Sequence, residues 1–174
     1  MNRLPIIFAL LALAGCGYTQ SGQAPPAESA YQWRSLYRGD VRTIAVPIFT
    51  NRDFTRGVEL DLTKAIINQI EAHTPYKVVP RDRADTVLEG EIVRVNLQTV
   101  SRDPLSSVPQ EQLYRVVCSF VWKDLRSGRI LVERRNFEQM MPFYPTLGEN
   151  RWVGNQQGVE RLAMGIVHEL QADW

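Results

Sequence analysis

Cys16 is the residue whose surroundings most clearly specify a chemistry. It follows Leu13-Ala14-Gly15 at the end of an apolar run that starts at Leu4, just behind the positive Arg3. A basic start, a short apolar stretch and small side chains before the break form the pattern of a secretory signal. The stretch is too short to cross a bilayer as a stable helix. A cysteine placed directly after the small pair makes the pattern a lipobox rather than an ordinary signal peptide with a chance cysteine. Residues 1–15 are expected to be removed as a lipoprotein signal peptide, leaving Cys16 as an acylated, palmitate-bearing N-terminus. Each buried CH₂ contributes roughly 0.8 kcal/mol and one acyl chain anchors only marginally. The several chains of a bacterial lipoprotein would make attachment essentially permanent.

Few other residues have the types and spacing that chemistry needs. Cys118 would have no intramolecular disulfide partner once Cys16 is acylated, and it falls in a strand-like run. A buried thiol acting as a small hydrophobe is the ordinary outcome there. The chain has two histidines, His73 and His168. Neither has a second histidine at metal-ligand spacing, and His168-Glu169 reads as a solvated helix face. No phosphate-cradling glycine loop and no Gly-x-Ser-x-Gly elbow is present. Asp82, Asp85, Glu89 and Glu91 are interleaved with Arg81, Arg83 and Arg94, which suggests surface pairing rather than acid–base work. Arg38-Gly39-Asp40 is too short a match to carry adhesion. The expectation is a protein that is not an enzyme, with no catalytic residue, no metal and no cofactor.

The residues best suited to holding a ligand are arginines. Arg94, Arg115 and Arg134 fall on three expected strands among apolar and aromatic neighbours. Guanidinium forks beside aliphatic surface suit an amphiphile that carries phosphate or carboxylate. Val93, Val95 and Leu97 offer an alternative, an apolar patch for a protein partner.

The elements that must position these residues follow from periodicity. Residues 16–30 are rich in Gly, Ser, Gln, Ala and Pro and read as a flexible tether, because such a segment buries too little to offset its ordering entropy. Residues 31–174 are long enough for one domain. Val41–Pro47 suits a first strand, and Thr50–Asp53 reads as a turn. Val58, Leu62, Ile66 and Ile70 recur every fourth residue in a helix from about Thr55 to His73, which Pro75 ends. Tyr76–Val79 and Thr86–Val100 are strands. In the second, the apolar parity switches between Ile92 and Val93, which indicates a bulge. Ser101–Gln110 reads as a hairpin loop. Glu111–Asp124 follows, with Tyr114, Val116, Cys118, Phe120 and Trp122 on one face. Ser127-Gly128 turns into Arg129–Glu138, and a loop from Met141 to Asn150 precedes a last helix striped by Val159, Leu162, Ala163, Ile166, Val167 and Leu170. The fold class is α+β: a two-layer sandwich with two helices on one face of a mainly antiparallel four- to five-stranded sheet.

Charge sets a further bound. The chain has 20 basic and 19 acidic residues among 174; losing Arg3 with the signal leaves 19 of each. This balance does not resemble the strongly basic footprint of a nucleic-acid binder, so no nucleic-acid partner is expected.

Taken together, several segments resemble the LptE-type lipopolysaccharide-assembly lipoproteins. They are Gly15-Cys16-Gly17-Tyr18, the strand Val41-Arg42-Thr43-Ile44-Ala45-Val46-Pro47-Ile48-Phe49-Thr50-Asn51, and Gly57-Val58-Glu59-Leu60. Ala84-Asp85-Thr86-Val87-Leu88-Glu89-Gly90-Glu91-Ile92, Arg161-Leu162-Ala163 and the closing Trp174 complete the set. The resemblance implies an outer-membrane lipoprotein, anchored by its acyl chains at the periplasmic face, with two helices on a mainly four-stranded sheet. It implies an LptD-type β-barrel as partner, in which such proteins serve as plug and assembly partner, and lipopolysaccharide as a second contact. The family's glycolipid-contacting residues lie outside the matched motifs, so Arg94, Arg115 and Arg134 stand on the residue-level reading alone. The competing reading is an adaptor lipoprotein of another envelope machine, a peptidoglycan-synthesis regulator or a secretion-channel component.

Overall fold

The computed structural model describes residues 35–145 and 151–171, with side chains described from 155 onward in the last segment. The signal segment, Cys16, the tether and Trp174 lie outside the described residues. In chain order the elements are β1 (Thr43–Ala45), β2 (Thr50–Asn51), α1 (Val58–His73), β3 (Lys77–Val78), β4 (Thr86–Arg102), β5 (Pro109–Asp124), β6 (Ile130–Phe143) and α2 (Arg151–His168).

Helix α1 starts later than its periodicity suggests. The backbone N–H of Thr55 donates to Asp53 Oδ1 at 2.9 Å, holding the preceding residues in a turn, and Gly57, at φ 91°, forms the N-cap. Glu59 and Asp61 occupy the first turn, where the helix dipole favours negative charge. Val58, Leu62, Ile66 and Ile70 are buried, as their spacing requires. The helix ends at Thr74, whose N–H and hydroxyl both donate to the Ile70 carbonyl, at 3.0 and 2.8 Å. The α2 stripe from Val159 to Leu170 is buried in the same core.

The sheet corrects the expected architecture in strand number and direction. It has six strands in the order β3-β1-β4-β5-β6, with β2 also against β4. β1 runs parallel to both β3 and β4, and β2 runs parallel to β4; only β4–β5 and β5–β6 are antiparallel. Parallel neighbours require a crossover connection, and α1 supplies it between β2 and β3. Thr50-Asn51, expected as a turn, instead pairs with Glu91 and Ile92. The last strand is longer than expected because Met141 and Phe143 are buried. Pro142 is tolerated there because β6 is an edge strand.

Both helices cover one face of this sheet. Tyr114, Val116, Cys118, Phe120 and Trp122 point into a single core with the α1 and α2 stripes, Ile44, Phe49, Leu88 and Ile92. The bulge in β4 occurs where the parity switch placed it. Register shifts between Ile92 and Arg94, so Val95 and Leu97 lie opposite Val116 and Tyr114, on the core side. They pack against the core and so form no open patch.

Two polar locks join the segments. Asp85 Oδ2 accepts from the backbone N–H groups of Arg42 and Thr43, at 3.3 and 3.1 Å, and from the Thr43 hydroxyl at 2.8 Å, pinning β1 to the start of β4. The hydrogen bond from Thr43 is the main cause that holds the Asp85 carboxyl below its ordinary range. In the core, the Phe49 N–H donates to the Thr63 hydroxyl at 3.1 Å, and that hydroxyl donates to the Glu59 carbonyl at 2.7 Å.

Candidate functional site on the open face of the sheet

Among the described residues both helices lie on one face of the sheet, and no helix lies on the second. Along β5 this face carries Leu113, Arg115, Val117, Ser119, Val121 and Lys123, all half-buried, because alternate residues of a strand point to opposite sides. A trough of about 860 Å³ runs across the sheet from the β1–β2 connection to β6, with Pro47, Ile48, Val121 and Ile130 in its apolar lining. Arg81, Lys123, Arg134 and Arg135 line it beside Glu89, Glu91 and Glu133.

These charges are largely committed to one another. Glu89 accepts from Lys123 Nζ at 2.6 Å and from the Arg81 guanidinium. The Lys123 bond and then the Arg81 bond hold its carboxyl below the usual range. Glu91 pairs with Arg52 at 2.9 Å, and Glu133 with Arg135 at 2.8 Å. Such partly exposed pairs contribute at most about 1 kcal/mol each. An incoming phosphate or carboxylate can therefore displace a glutamate at small cost. The expectation of surface pairing is met at Glu89, Glu91 and Asp85, although the cations come mostly from distant segments: Lys123, Arg52 and Arg126.

The three arginines separate. Arg94 lies opposite Val117 and Arg115 lies opposite Asn96, so the two are diagonal neighbours on the open face. Arg115 Nε is 3.8 Å from Glu138 Oε2, while Arg94 is exposed and makes no ion pair among the described residues. Arg134 lies opposite buried Phe120, on the helix-covered side. Its Nε and Nη2 both reach Glu169 Oε2, at 2.7 and 2.6 Å, just past the end of α2. A bulge explains the flip: register shifts between Cys118 and Phe120, with Asn136 at φ 53° on the β6 side. Arg94 and Arg115 thus share the open face outside the lining of the trough, whereas Arg134 lines the trough while its guanidinium pairs with Glu169. Lys123 escaped the sequence reading, although its parity with Arg115 on β5 marks it as open-face.

The other chemical candidates resolve simply. Cys118 is fully buried, and desolvation pushes its thiol up to about 12. Such a thiol forms no thiolate nucleophile at neutral pH. His73 and His168, at the ends of two helices that run side by side, line one shallow surface groove. Among the described residues no group of three metal-ligating side chains converges. The face as a whole sets half-buried aliphatic side chains among partly exposed cations and carboxylates, an arrangement that can hold an anionic amphiphile.

The chain matches the sequence model of the LptE family, described as lipopolysaccharide-assembly, over residues 41–168. No curated protein matches it. Among solved structures, the PelC dodecamer from Paraburkholderia phytofirmans is similar at TM-score 0.53 and 15% identity, covering 78% of this chain and 93% of that one. Protein XCC0632 from Xanthomonas campestris is similar at TM-score 0.55 and 10% identity, covering 74% and 82%. Hypothetical protein CT253 from Chlamydia trachomatis is similar at TM-score 0.51 and 10% identity, covering 73% and 94%. At these identities the likeness concerns the fold.

Proposed function

Because the chain belongs to the LptE lipopolysaccharide-assembly family, we propose that it is an outer-membrane lipoprotein serving as plug and assembly partner of an LptD-type β-barrel. In this reading Cys16 carries the acyl anchor at the periplasmic face, and residues 16–30 tether the single domain to it. The protein holds and positions and does not catalyse a reaction. Arg94 and Arg115 on the open face, with the Arg81–Lys123 trough, form the surface for phosphate groups of lipopolysaccharide, and aliphatic side chains between them meet its apolar part. Arg134 serves the fold through Glu169.

The observation that carries this reading is the family match across 41–168, which takes in all the strands and both helices. The matched segments have physical work in the fold. Asp85 pins β1, Leu88 and Phe49 fill the core, and Gly90 clears space for the Phe49 ring. The decisive experiment is affinity recovery of the tagged, full-length protein from detergent-solubilised envelopes, together with depletion. A large β-barrel is expected in the eluate, and lipopolysaccharide is expected to accumulate in the periplasm on depletion. Recovery without any barrel, or altered cell-wall synthesis with normal lipopolysaccharide export, would sink the proposal and favour an adaptor of another envelope machine.

A further inference from the structure

Arg115 is held on the open face by two weak partners. Its Nη2 donates to the Met140 sulfur at 3.7 Å, and its Nε lies 3.8 Å from Glu138 Oε2. A thioether is a poor acceptor, and so long an ion pair between two side chains each more than a third exposed contributes little. Met140 sits directly opposite Arg115 in the β5–β6 ladder, on an edge strand. Its side chain therefore shares the open face with Arg115, while the next residue, Met141, turns into the core.

The four methionines of the chain differ in what an oxidant can reach. Met1 falls in the segment expected to leave with the signal. Met141 is buried at 6% exposure, whereas Met140 is open at 37% and Met164 at 46%. Met164 lines the groove shared by Tyr37, His73 and His168, whose lining holds no arginine. Among the described residues, Met140 is thus the methionine that is both accessible and hydrogen-bonded to a guanidinium.

Oxidation changes what this sulfur offers its neighbour. Hydrogen peroxide transfers one oxygen atom to a sulfur lone pair. Its O–O bond breaks, an S–O bond forms, the thioether is oxidised by two electrons, and the second oxygen leaves as water with both protons. The product, methionine sulfoxide, is polar and uncharged. Its oxygen is a far stronger acceptor for guanidinium donors than the thioether sulfur. The methionine side chain turns about three bonds, so the new oxygen can meet Arg115 Nη2 without moving the strand. A donor that an incoming phosphate or carboxylate would use is then occupied. Reductases return the sulfoxide to the thioether, so the change is reversible.

We propose that Met140 is an oxidation site that regulates the open face: its sulfoxide engages Arg115 and weakens the hold on an anionic amphiphile. This rests on the function proposed above, in which Arg115 meets phosphate groups of lipopolysaccharide. The full-length protein carrying Met164→Leu, which leaves Met140 as the accessible methionine of the domain, is treated with dilute hydrogen peroxide and assayed for lipopolysaccharide binding. Peptide mass spectrometry should place one added oxygen on Met140 and none on Met141. Binding should weaken about two- to ten-fold, the worth of one hydrogen bond, and recover after methionine sulfoxide reductase acts. When Met140→Leu is combined with Met164→Leu, the same treatment should leave binding unchanged. An unmodified Met140, equal binding before and after its oxidation, or an equal loss in the double variant would overturn the inference and leave the proposed function standing. Failure of the untreated protein to bind lipopolysaccharide would overturn the proposed glycolipid contact as well.

Discussion

Gly90→Ala tests whether the helix-side packing is as tight as the geometry indicates. Gly90 lies opposite Phe120 on the core face of β4, and the ring of Phe49, at 1% exposure, crosses directly over it. A Cβ built on Gly90 would stand 2.2 Å from Phe49 Cε1 and 2.7 Å from Cδ1. Carbon contacts favour about 3.5–4.0 Å, so the ring must retreat by more than 1 Å in a close-packed interior. The Phe49 backbone is tethered by its N–H to Thr63, so the ring has little freedom to move away. Overpacking of this kind costs about 1–3 kcal/mol and occasionally more, and the closeness here places Gly90→Ala near the top, at about 3 kcal/mol. For a domain of this size the melting temperature should fall by about 6–12 °C. Phe49→Ala alone leaves a cavity and should cost about 3–5 kcal/mol. In the double variant the new methyl occupies vacated space, so the combined cost should stay near that of Phe49→Ala alone. The assay is urea unfolding of the full-length protein followed by circular dichroism, with an unchanged denaturant slope as the sign that the same surface unfolds. Single-variant costs that add to within about 0.5 kcal/mol, or a neutral Gly90→Ala, would refute the reasoning.

The remaining predictions concern charge, thiol and anchor. The Asp85 carboxyl is held below its ordinary range in the fold, so its contribution is fully present above the unfolded-state value of about 4 and is lost as pH falls through the lowered folded value. Asp85→Asn should therefore lower stability at neutral pH by about 1–3 kcal/mol and flatten the acid limb of a pH–stability curve; an unchanged limb would count against the lock. Arg94→Glu with Arg115→Glu should weaken binding to lipopolysaccharide at least several-fold while leaving the thermal midpoint in place, and Arg134→Ala should shift stability by no more than about 1 kcal/mol. Unchanged binding by the Arg94 and Arg115 double variant would show that the open face is not the site. Cys118 should resist iodoacetamide in the folded protein and react once urea unfolds it, and native labelling would contradict its burial. Cys16→Ala should release the domain from the membrane or leave it unprocessed with its circular dichroism unchanged, and mass spectrometry of an unacylated wild-type N-terminus would refute the lipobox.

Local patterns made much of this protein legible. The four-residue recurrence from Val58 to Ile70 marks α1, and the strict alternation from Tyr114 to Trp122 marks the core face of β5, because both periods are properties of the backbone itself. The parity switch at Val93 marks a bulge for the same reason. β1 and β3 were legible because β-branched residues flank them, whereas the two residues of β2, Thr50-Asn51, have turn-like types and read as a turn; the parallel direction of all three is set by the crossover and not by any local period. Pro142 punctuates a sequence as a loop would, but an edge position excuses its missing N–H.

The candidate site divides along the same line. Residue types alone identified cationic, aliphatic strands, and they sufficed to put Arg94 and Arg115 on a common surface. Whether Arg134 joins them depended on one extra residue near Asn136, since a single-residue slip turns a side chain to the other face of a sheet. The sequence by itself determined the secondary-structure types, the helix stripes, the alternating core strand and the family. Only the tertiary structure decided strand order, the pairing of Glu89 with Lys123 and the pairing of Arg134 with Glu169. Those features depend on contacts between residues dozens of positions apart, which no local period encodes.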